Sequence, residues 1–362
     1  MNNGEYTKMS SGETELDGLV LGLHHITLVT SNEEVNRRFY TEVLGLRRVK
    51  LTVNQDDIFH RHLFYANEKA ETGSAITFFE WPNLPRGAIG LTSPHHLSYA
   101  VQSLEALPKW RSWLLSHGIS IVGPLVRDGR VSLYLRDPDG VIVEITRADE
   151  EDVAQNYVDE LNCEAAPPNE ISSDMRLTSF DHASPLTLNS EVMIRFLGKA
   201  LGLKCSFKRT NPDEKGVAIV GMGNGEKPDF LRYLVSPMAP LGEVGVGSVH
   251  HIAMAVVDED AQQTILHRLN ASGVLNSGVI DRFWFKSLYF RDPDGNLLEI
   301  ATKGPGYSAD EAPEKLGSRL VLAPWLEPRR DEIEGALSEL DARNARTWPP
   351  TYPATPSPPE TL

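Results

Sequence analysis

Cysteine is nearly absent from this 362-residue chain, which contains only Cys163 and Cys205. Two cysteines cannot build a disulfide framework, and neither lies in a CxxC pair. A disulfide-stapled secreted domain and a thiolate metal site are therefore both excluded, and a cytoplasmic location is expected. Long apolar runs are also missing. No stretch of about 18 apolar residues occurs, so no membrane-spanning helix is predicted. The opening MNNGEYTKMSSGETELDG is polar and lacks the hydrophobic region of a secretory signal. Basic charge is short as well, with 35 Lys and Arg against 50 Asp and Glu, a formal net charge of -15. Such a surface repels phosphate backbones and anionic lipid, which argues against nucleic acid and membrane partners. The glycine-rich VGMGNGEKPD has no following Lys-Ser pair, so a phosphate-binding loop is not supported. What remains, at 41% apolar residues, is ample for a sizeable core and a length typical of two domains.

The chain repeats itself. Residues 95–146 run from HHLSYAV to LYLRDPDGVIVEIT, and residues 250–301 run from HHIAMAV to LYFRDPDGNLLEIA. His96 to Glu144 is 144 − 96 = 48 positions, and His251 to Glu299 is 299 − 251 = 48. Arg127 and Arg282 each follow the second histidine by 31 positions, and Tyr134 and Tyr289 each precede the glutamate by 10. Matching registers without a gap indicate duplication. Each copy starts with an alternating strand. A stretch such as DEDAQQTILHRLNASGV follows, with Ile265, Leu266 and Leu269 at helical spacing. Strands on either side of a DPDG hairpin turn close the unit, with Pro fixing φ and Gly supplying φ > 0.

Two weaker copies occupy residues 22–82 and 178–240, where FYTEVLGL and FLGKALGL share a helix end with Gly as its cap. The class is therefore α+β, with four βαβββ units. The predicted organisation is a polar N-terminal extension (1–21), units one and two (22–149), a linker (150–174), units three and four (175–303), and a C-terminal part (304–362). In that last part PWLEPRRDEIEGALSELDARNA reads as a capped amphipathic helix. WPPTYPATPSPPETL reads as a disordered Pro-rich tail.

Three of the four units open with His-His, which accounts for six of the eleven histidines. Alternation puts His25 with Thr27 and Val29, His251 with Ala253 and Ala255, and Glu299 with Leu297 and Ala301. A curved sheet could aim two imidazoles and one carboxylate into one cup, leaving open positions on an ion. That donor set suits Fe(II), and Mn(II) also fits it. A lone strand histidine usually belongs to core or surface, but recurrence in register argues for a site. His251 and Glu299 belong to one unit. Their third partner is His25 if units one and four pair, or His182 if neighbouring units pair. A second set of His96, Glu144 and His182 is conceivable, although a vestige of duplication is the preferred reading. His60 and His62 share a strand face and could reach a pocket, with a surface pair the preferred reading. Phe78, Phe79, Trp81, Phe283, Trp284 and Phe285 read as core that could line an aromatic slot.

The four units, the histidine heading a first strand and the glutamate in a last strand resemble the vicinal oxygen chelate superfamily. Within it, LHHIT, SVHHIAMAV, DRFWFKSLYF, DPDGNLLEIAT and the segment GPGYSADEAPEKLGSRLVLAPWLEPRRDEIE are similar to ring-cleaving dioxygenases acting on hydroquinones. The resemblance implies two cup-shaped mixed sheets and assigns His25, His251 and Glu299 to Fe(II). It places His24, Thr27, His250, Arg282 and Tyr289 around the substrate, although alternation should turn His24 away from His25 unless the strand is bulged. The implied reaction inserts both atoms of O2 into a 1,4-dihydroxy aromatic ring. Catechol-type extradiol cleavage, a glyoxalase-like isomerase or lyase, and a metal-free module binding a small aromatic compound are the alternatives. The implied partners are the aromatic diol and O2, and a homo-oligomer is compatible with the sequence.

Overall fold

The structure, a computed structural model, describes residues 18–148, 166–210, 217–226 and 229–354. Cys163 and most of the expected extension and linker lie outside these residues, as does the end of the Pro-rich tail from residue 355.

All four units fold in the expected order. Unit one comprises β1 (Val20–Thr30), α1 (Glu33–Arg38), β2 (Arg47–Asn54), β3 (Asp57–Ala66) and β4 (Ala75–Glu80). Unit two comprises β5 (His96–Ala100), α2 (Ala106–Ser116), β6 (Ile121–Arg127), β7 (Arg130–Arg136) and β8 (Ile142–Ala148). Unit three has β9 (Phe180–Ser184), the short β10 (Leu186–Thr187), α3 (Ser190–Leu201), β11 (Lys204–Thr210), β12 (Val217–Gly223) and β13 (Leu231–Val235). Unit four has β14 (Val249–Val256), α4 (Glu259–Ala271), β15 (Asn276–Asp281), β16 (Lys286–Arg291) and β17 (Leu297–Thr302). Local chemistry explains the boundaries. Asn189 and Asp258 cap α3 and α4 by accepting first-turn amide hydrogens. Gly45 and Gly202, at φ of 69° and 71°, end the helical segments of units one and three.

The units do not pair in chain order. One mixed sheet runs β15-β16-β17-β14-β1-β4-β3-β2 and so joins units one and four; the other runs β11-β12-β13-β9-β5-β8-β7-β6 and joins units two and three. The seam of the first sheet is the antiparallel β1–β14 pair, flanked by parallel β4 and β17. The largest apolar cluster draws on both sheets and their helices, including Ile26, Leu28, Leu97, Trp110, Leu197 and Ile265.

Both DPDG turns fasten one sheet to the other. Asp137 Oδ1 accepts the Asp139 and Val141 amides, while Tyr40 of unit one donates its hydroxyl to Oδ2 at 3.0 Å. Asp292 repeats this with the Asp294 and Asn296 amides and with Tyr233 of unit three, also at 3.0 Å. The second aspartate of each turn takes a threonine hydroxyl, Thr30 on Asp139 and Thr187 on Asp294.

After β17 the chain turns back into the first cup. Lys50 on β2 is wholly buried and donates to the Tyr307 carbonyl (2.8 Å), Asp310 (2.7 Å) and Glu311 (2.6 Å). Tyr307, Leu316 and Val321 join Val49, Phe64, Trp284 and Phe285 in an apolar cluster. α5 (Arg330–Arg343) then packs Ile333 and Leu337 on Val53, without a side-chain cap at its start. The expected disorder of the tail does not extend to its described part. Trp348 lies under the Arg38 guanidinium at 4.7 Å and Tyr352 meets Phe39, because two aromatic rings find apolar core to cover. No helix among the described residues is long and apolar enough to cross a membrane. Cys205 carries a free thiol.

Candidate metal centre

One row of residues crosses the first sheet. His25 on β1 stands opposite Ala253 on β14, and Ala253 stands opposite Glu299 on β17. His251 lies two positions before Ala253, on the same face. The methyl of Ala253 leaves open space between the longer side chains on either side. Glu299 Oε2 is 2.9 Å from His251 Nε2 and 3.3 Å from His25 Nε2, and the two imidazole nitrogens are 3.3 Å apart. Donor atoms held about 2.1 Å from one ion would sit about 3.0 Å apart at right angles and about 3.4 Å apart at tetrahedral angles. Two of the observed edges fall in that window and the third, at 2.9 Å, lies just below it. Glu299 is fully buried, and its Oε2 has no aligned hydrogen-bond donor, while Ser287 donates to its Oε1 at 2.6 Å. Burial alone would push the Glu299 carboxyl up. His25 and His251 outweigh it and hold the group well below the usual range, as an anion. Two imidazoles and a buried carboxylate converging on one point fit a divalent ion.

The neighbouring histidines set the tautomers. His24 Nδ1 lies 2.8 Å from His25 Nδ1, and His250 Nδ1 lies 2.8 Å from His251 Nδ1. One proton occupies each contact. When His25 and His251 carry it, their Nε2 lone pairs face Glu299, and His24 and His250 are protonated on Nε2 instead. The β1–β14 register shifts at both places, between Leu23 and His25 on β1 and between His251 and Val249 on β14. These bulges explain how adjacent residues can meet in spite of strand alternation. The two outer histidines nevertheless differ. His24 hydrogen-bonds the Thr302 backbone and packs on Phe285, and it does not reach the cavity. His250 does line the cavity, beside Phe79 and Trp81. Burial, followed by the adjacent histidine, lowers both to about 3, so both are neutral near pH 7.

A cavity of about 410 Å³ opens on His25 and His251. Its apolar walls are Phe64, Phe79, Trp81, Trp284 and Phe285, and His62, His250, Arg282 and Tyr289 supply polar groups. Phe78 and Phe283, grouped with these aromatics by sequence, are not part of the wall. The Arg282 guanidinium holds Asp56 through two bonds (3.1 and 2.7 Å) and lies 5.6 Å from the Tyr289 ring centre. Burial opposes the charge on Arg282, but Asp56 and Tyr289 outweigh it and keep Arg282 cationic. Burial pushes the Tyr289 phenol up, so it keeps its proton. Thr27 is buried outside the cavity wall. Its hydroxyl meets Thr77 (2.7 Å), which in turn meets His62 Nε2 (2.9 Å). His62 thus belongs to the cavity, while His60 pairs with Asp57 outside it. The two share one face of β3, and the curvature of the sheet decides which of them meets the cavity.

Among the described residues a second group has the same form. His96, Glu144 and His182 are all buried, and their donor atoms lie within 4.8 Å of one another.

Comparison with known proteins agrees with this architecture. The family model for the Glyoxalase/Bleomycin resistance protein/Dioxygenase superfamily matches residues 22–145 and 179–300. MhqA of Bacillus subtilis, assigned as a ring-cleaving dioxygenase, is 33% identical over 325 residues, 89% of this chain and 99% of that protein. A chlorohydroquinone/hydroquinone 1,2-dioxygenase of Sphingobium indicum is 29% identical over 333 residues, 90% of this chain and 98% of that one. A solved Bacillus subtilis structure, also assigned as a dioxygenase, superposes with a TM-score of 0.75 at 30% identity, covering 88% of this chain and 96% of that one. Maize glyoxalase I shares the fold at a TM-score of 0.55 and 18% identity, covering 78% of this chain and 92% of that one. The repeated βαβββ units, the pairing of units across two cups and the match over both halves make this chain a member of the Glyoxalase/Bleomycin resistance protein/Dioxygenase superfamily.

Proposed function

We propose that the chain is a ring-cleaving dioxygenase for a 1,4-dihydroxy aromatic compound and that His25, His251 and Glu299 hold Fe(II). One observation carries the reading: a cavity of about 410 Å³ with five aromatic walls opens on His25 and His251, two of the three converging donors. Similarity along nearly the whole chain to proteins named ring-cleaving dioxygenases supports it. Iron held by His25, His251 and Glu299 would activate O2 and the substrate oxygen in one place, removing the cost of bringing them together.

The chain's own residues do the rest. The aromatic walls exclude water and stack on a planar ring. A hydroquinone offers the ion only one of its oxygens, so its other hydroxyl needs a protein partner. Burial holds His62 well below its usual pKa, and as a neutral imidazole it can accept a hydrogen bond from that hydroxyl. Tyr289 keeps its own proton and acts as a hydrogen-bond donor. Arg282 is cationic throughout and stabilises anionic charge developing on the ring oxygen or on the oxygen being inserted. His250, protonated on Nε2, donates a hydrogen bond at the wall beside His251. His24 and Thr27 act at one remove, His24 by orienting His25 and Thr27 by orienting His62 through Thr77.

Oxygen uptake by anaerobically iron-loaded protein tests the reading, with hydroquinones and catechols compared side by side. Uptake with hydroquinones and a ring-opened product are expected. Preference for catechols would move the assignment to extradiol cleavage, and aromatic binding without oxygen uptake would refute it. Arg282→Ala should lower kcat about 10²–10³-fold, and unchanged turnover would remove the role given to Arg282.

A further inference from the structure

The second cup contains a set of donors that the proposed reaction does not use. On the second sheet His182 of β9 stands opposite Ser98 of β5, and Ser98 stands opposite Glu144 of β8. His96 lies two positions before Ser98 on the same face. This row repeats the one formed by His25, Ala253 and Glu299, with Ser98 in the place of Ala253. Glu144 Oε2 is 3.2 Å from His182 Nε2 and 3.4 Å from His96 Nε2. The two imidazole rings are 5.5 Å apart at 84°, against 5.4 Å and 83° for His25 and His251.

Duplication accounts for the residue types, but it does not account for the polar atoms left without partners. Glu144 Oε2 and Ser98 Oγ are both buried and neither has an aligned hydrogen-bond partner. A buried carboxylate oxygen without a donor costs free energy, and a drifting vestige would be expected to lose it. The supporting contacts are in place instead. His182 Nδ1 bonds Asp181 at 2.6 Å, and Arg130 fixes that carboxylate at 2.6 Å. His96 Nδ1 is 2.8 Å from His95 Nδ1. A carboxylate behind the remote nitrogen of a histidine is the usual support for a metal-binding imidazole.

We infer that His96, His182 and Glu144 form a second divalent transition-metal site of structural role, which ties β9, β5 and β8 together. Its surroundings favour structure over turnover. Tyr134 donates to Glu144 Oε1 at 2.9 Å, the position that Ser287 takes at the first site, so its hydroxyl is spent on the carboxylate. Arg232 is buried in the same cup and would repel a cation, but Asp229 (2.6 Å) and Asp128 (3.6 Å) neutralise it. This inference does not depend on the proposed reaction.

Metal-stripped full-length protein, dialysed against Zn(II) or Mn(II), distinguishes the outcomes through metal content measured by mass spectrometry. Two equivalents per chain are expected for the wild type, one each for Glu144→Gln and Glu299→Gln, and none for the double variant. His182→Asn replaces Glu144→Gln should that variant not fold. The melting temperature of Glu299→Gln should rise on adding Zn(II), and that of the double variant should not. A single equivalent in the wild type that survives Glu144→Gln but is lost in Glu299→Gln would overturn the proposal, leaving the second set as a protonated His182–Glu144 ion pair.

Discussion

Lys50→Met is a sharp test of how the C-terminal segment completes the first cup. The ammonium is wholly buried and bridges Asp310 at 2.7 Å and Glu311 at 2.6 Å. The side chain of Glu311 is 2% exposed and that of Asp310 is 18% exposed. Solvent therefore cannot take over the role of the cation. Removing one partner of a buried pair costs about 3–5 kcal/mol, because the opposite charge is left without compensation. With an unfolding entropy of about 2.1 cal/mol/K per residue over 362 residues, this corresponds to a fall of about 4–7 °C in melting temperature. Differential scanning calorimetry would measure it. Neutralising the carboxylates in the same molecule, as Lys50→Met/Asp310→Asn/Glu311→Gln, should recover most of the loss, since burying apolar or neutral groups of similar volume is nearly free of that penalty. The effect should also reach the cavity. Asp310 accepts the Trp284 indole N–H at 2.9 Å, and Lys50 lies 5.2 Å from the Trp284 ring centre. Weaker binding of an aromatic ligand should accompany the lower melting temperature. A melting temperature within about 1 °C of wild type in Lys50→Met would refute the reasoning, because a loss of about 3 kcal/mol cannot be hidden in so small a shift.

Other expectations concern the metal centre and the turns. Ala253→Val keeps a good strand former on β14 but adds methyl groups between His25 and Glu299. Loss of bound metal with an unchanged far-UV spectrum is expected, and full metal content would show that the row is not the ion's seat. His24→Phe removes the acceptor behind His25 Nδ1 and should weaken metal binding about 10–100-fold in a competition titration; an unaltered affinity would remove its positioning role. Burial raises Asp292 to about 7, against hydrogen bonds from Asn296 and Tyr233. Its proton is then held more tightly in the folded protein than in the unfolded one. The linked stability is full below about pH 4 and is lost as pH rises through about 7, amounting to at most about 4 kcal/mol. Chemical denaturation of metal-free protein between pH 4 and 8 should show that slope in wild type and a shallower one in Asp292→Asn. Equal slopes would count against a raised Asp292.

Much of this protein could be read along the chain. The 48-position spacing from His251 to Glu299, repeated from His96 to Glu144, the DPDG turns and the glycine at the end of each helical segment are local signals. Alternation, φ preference and capping act within a few residues, so the strand–helix–strand units and the donor types followed from sequence alone. The seam between β1 and β14 is a different matter, since it joins residues some 226 positions apart. Hydrophobic patterning suits either pairing of the units equally, so only the folded chain brings His25, rather than His182, to Glu299. Tertiary structure also separates residues that look alike in sequence. His24 and His250 precede His25 and His251 at strand bulges, but His24 spends its remaining nitrogen on the Thr302 backbone while His250 meets the cavity. His62 reads as surface until the curvature of the first sheet turns it onto the cavity with Thr77 behind it. The two cups carry nearly the same motif, but one is walled by aromatic rings and the other holds Arg232 and its carboxylates. The repeated register determined which residues could bind metal. Which of them converge was decided by long-range strand pairing.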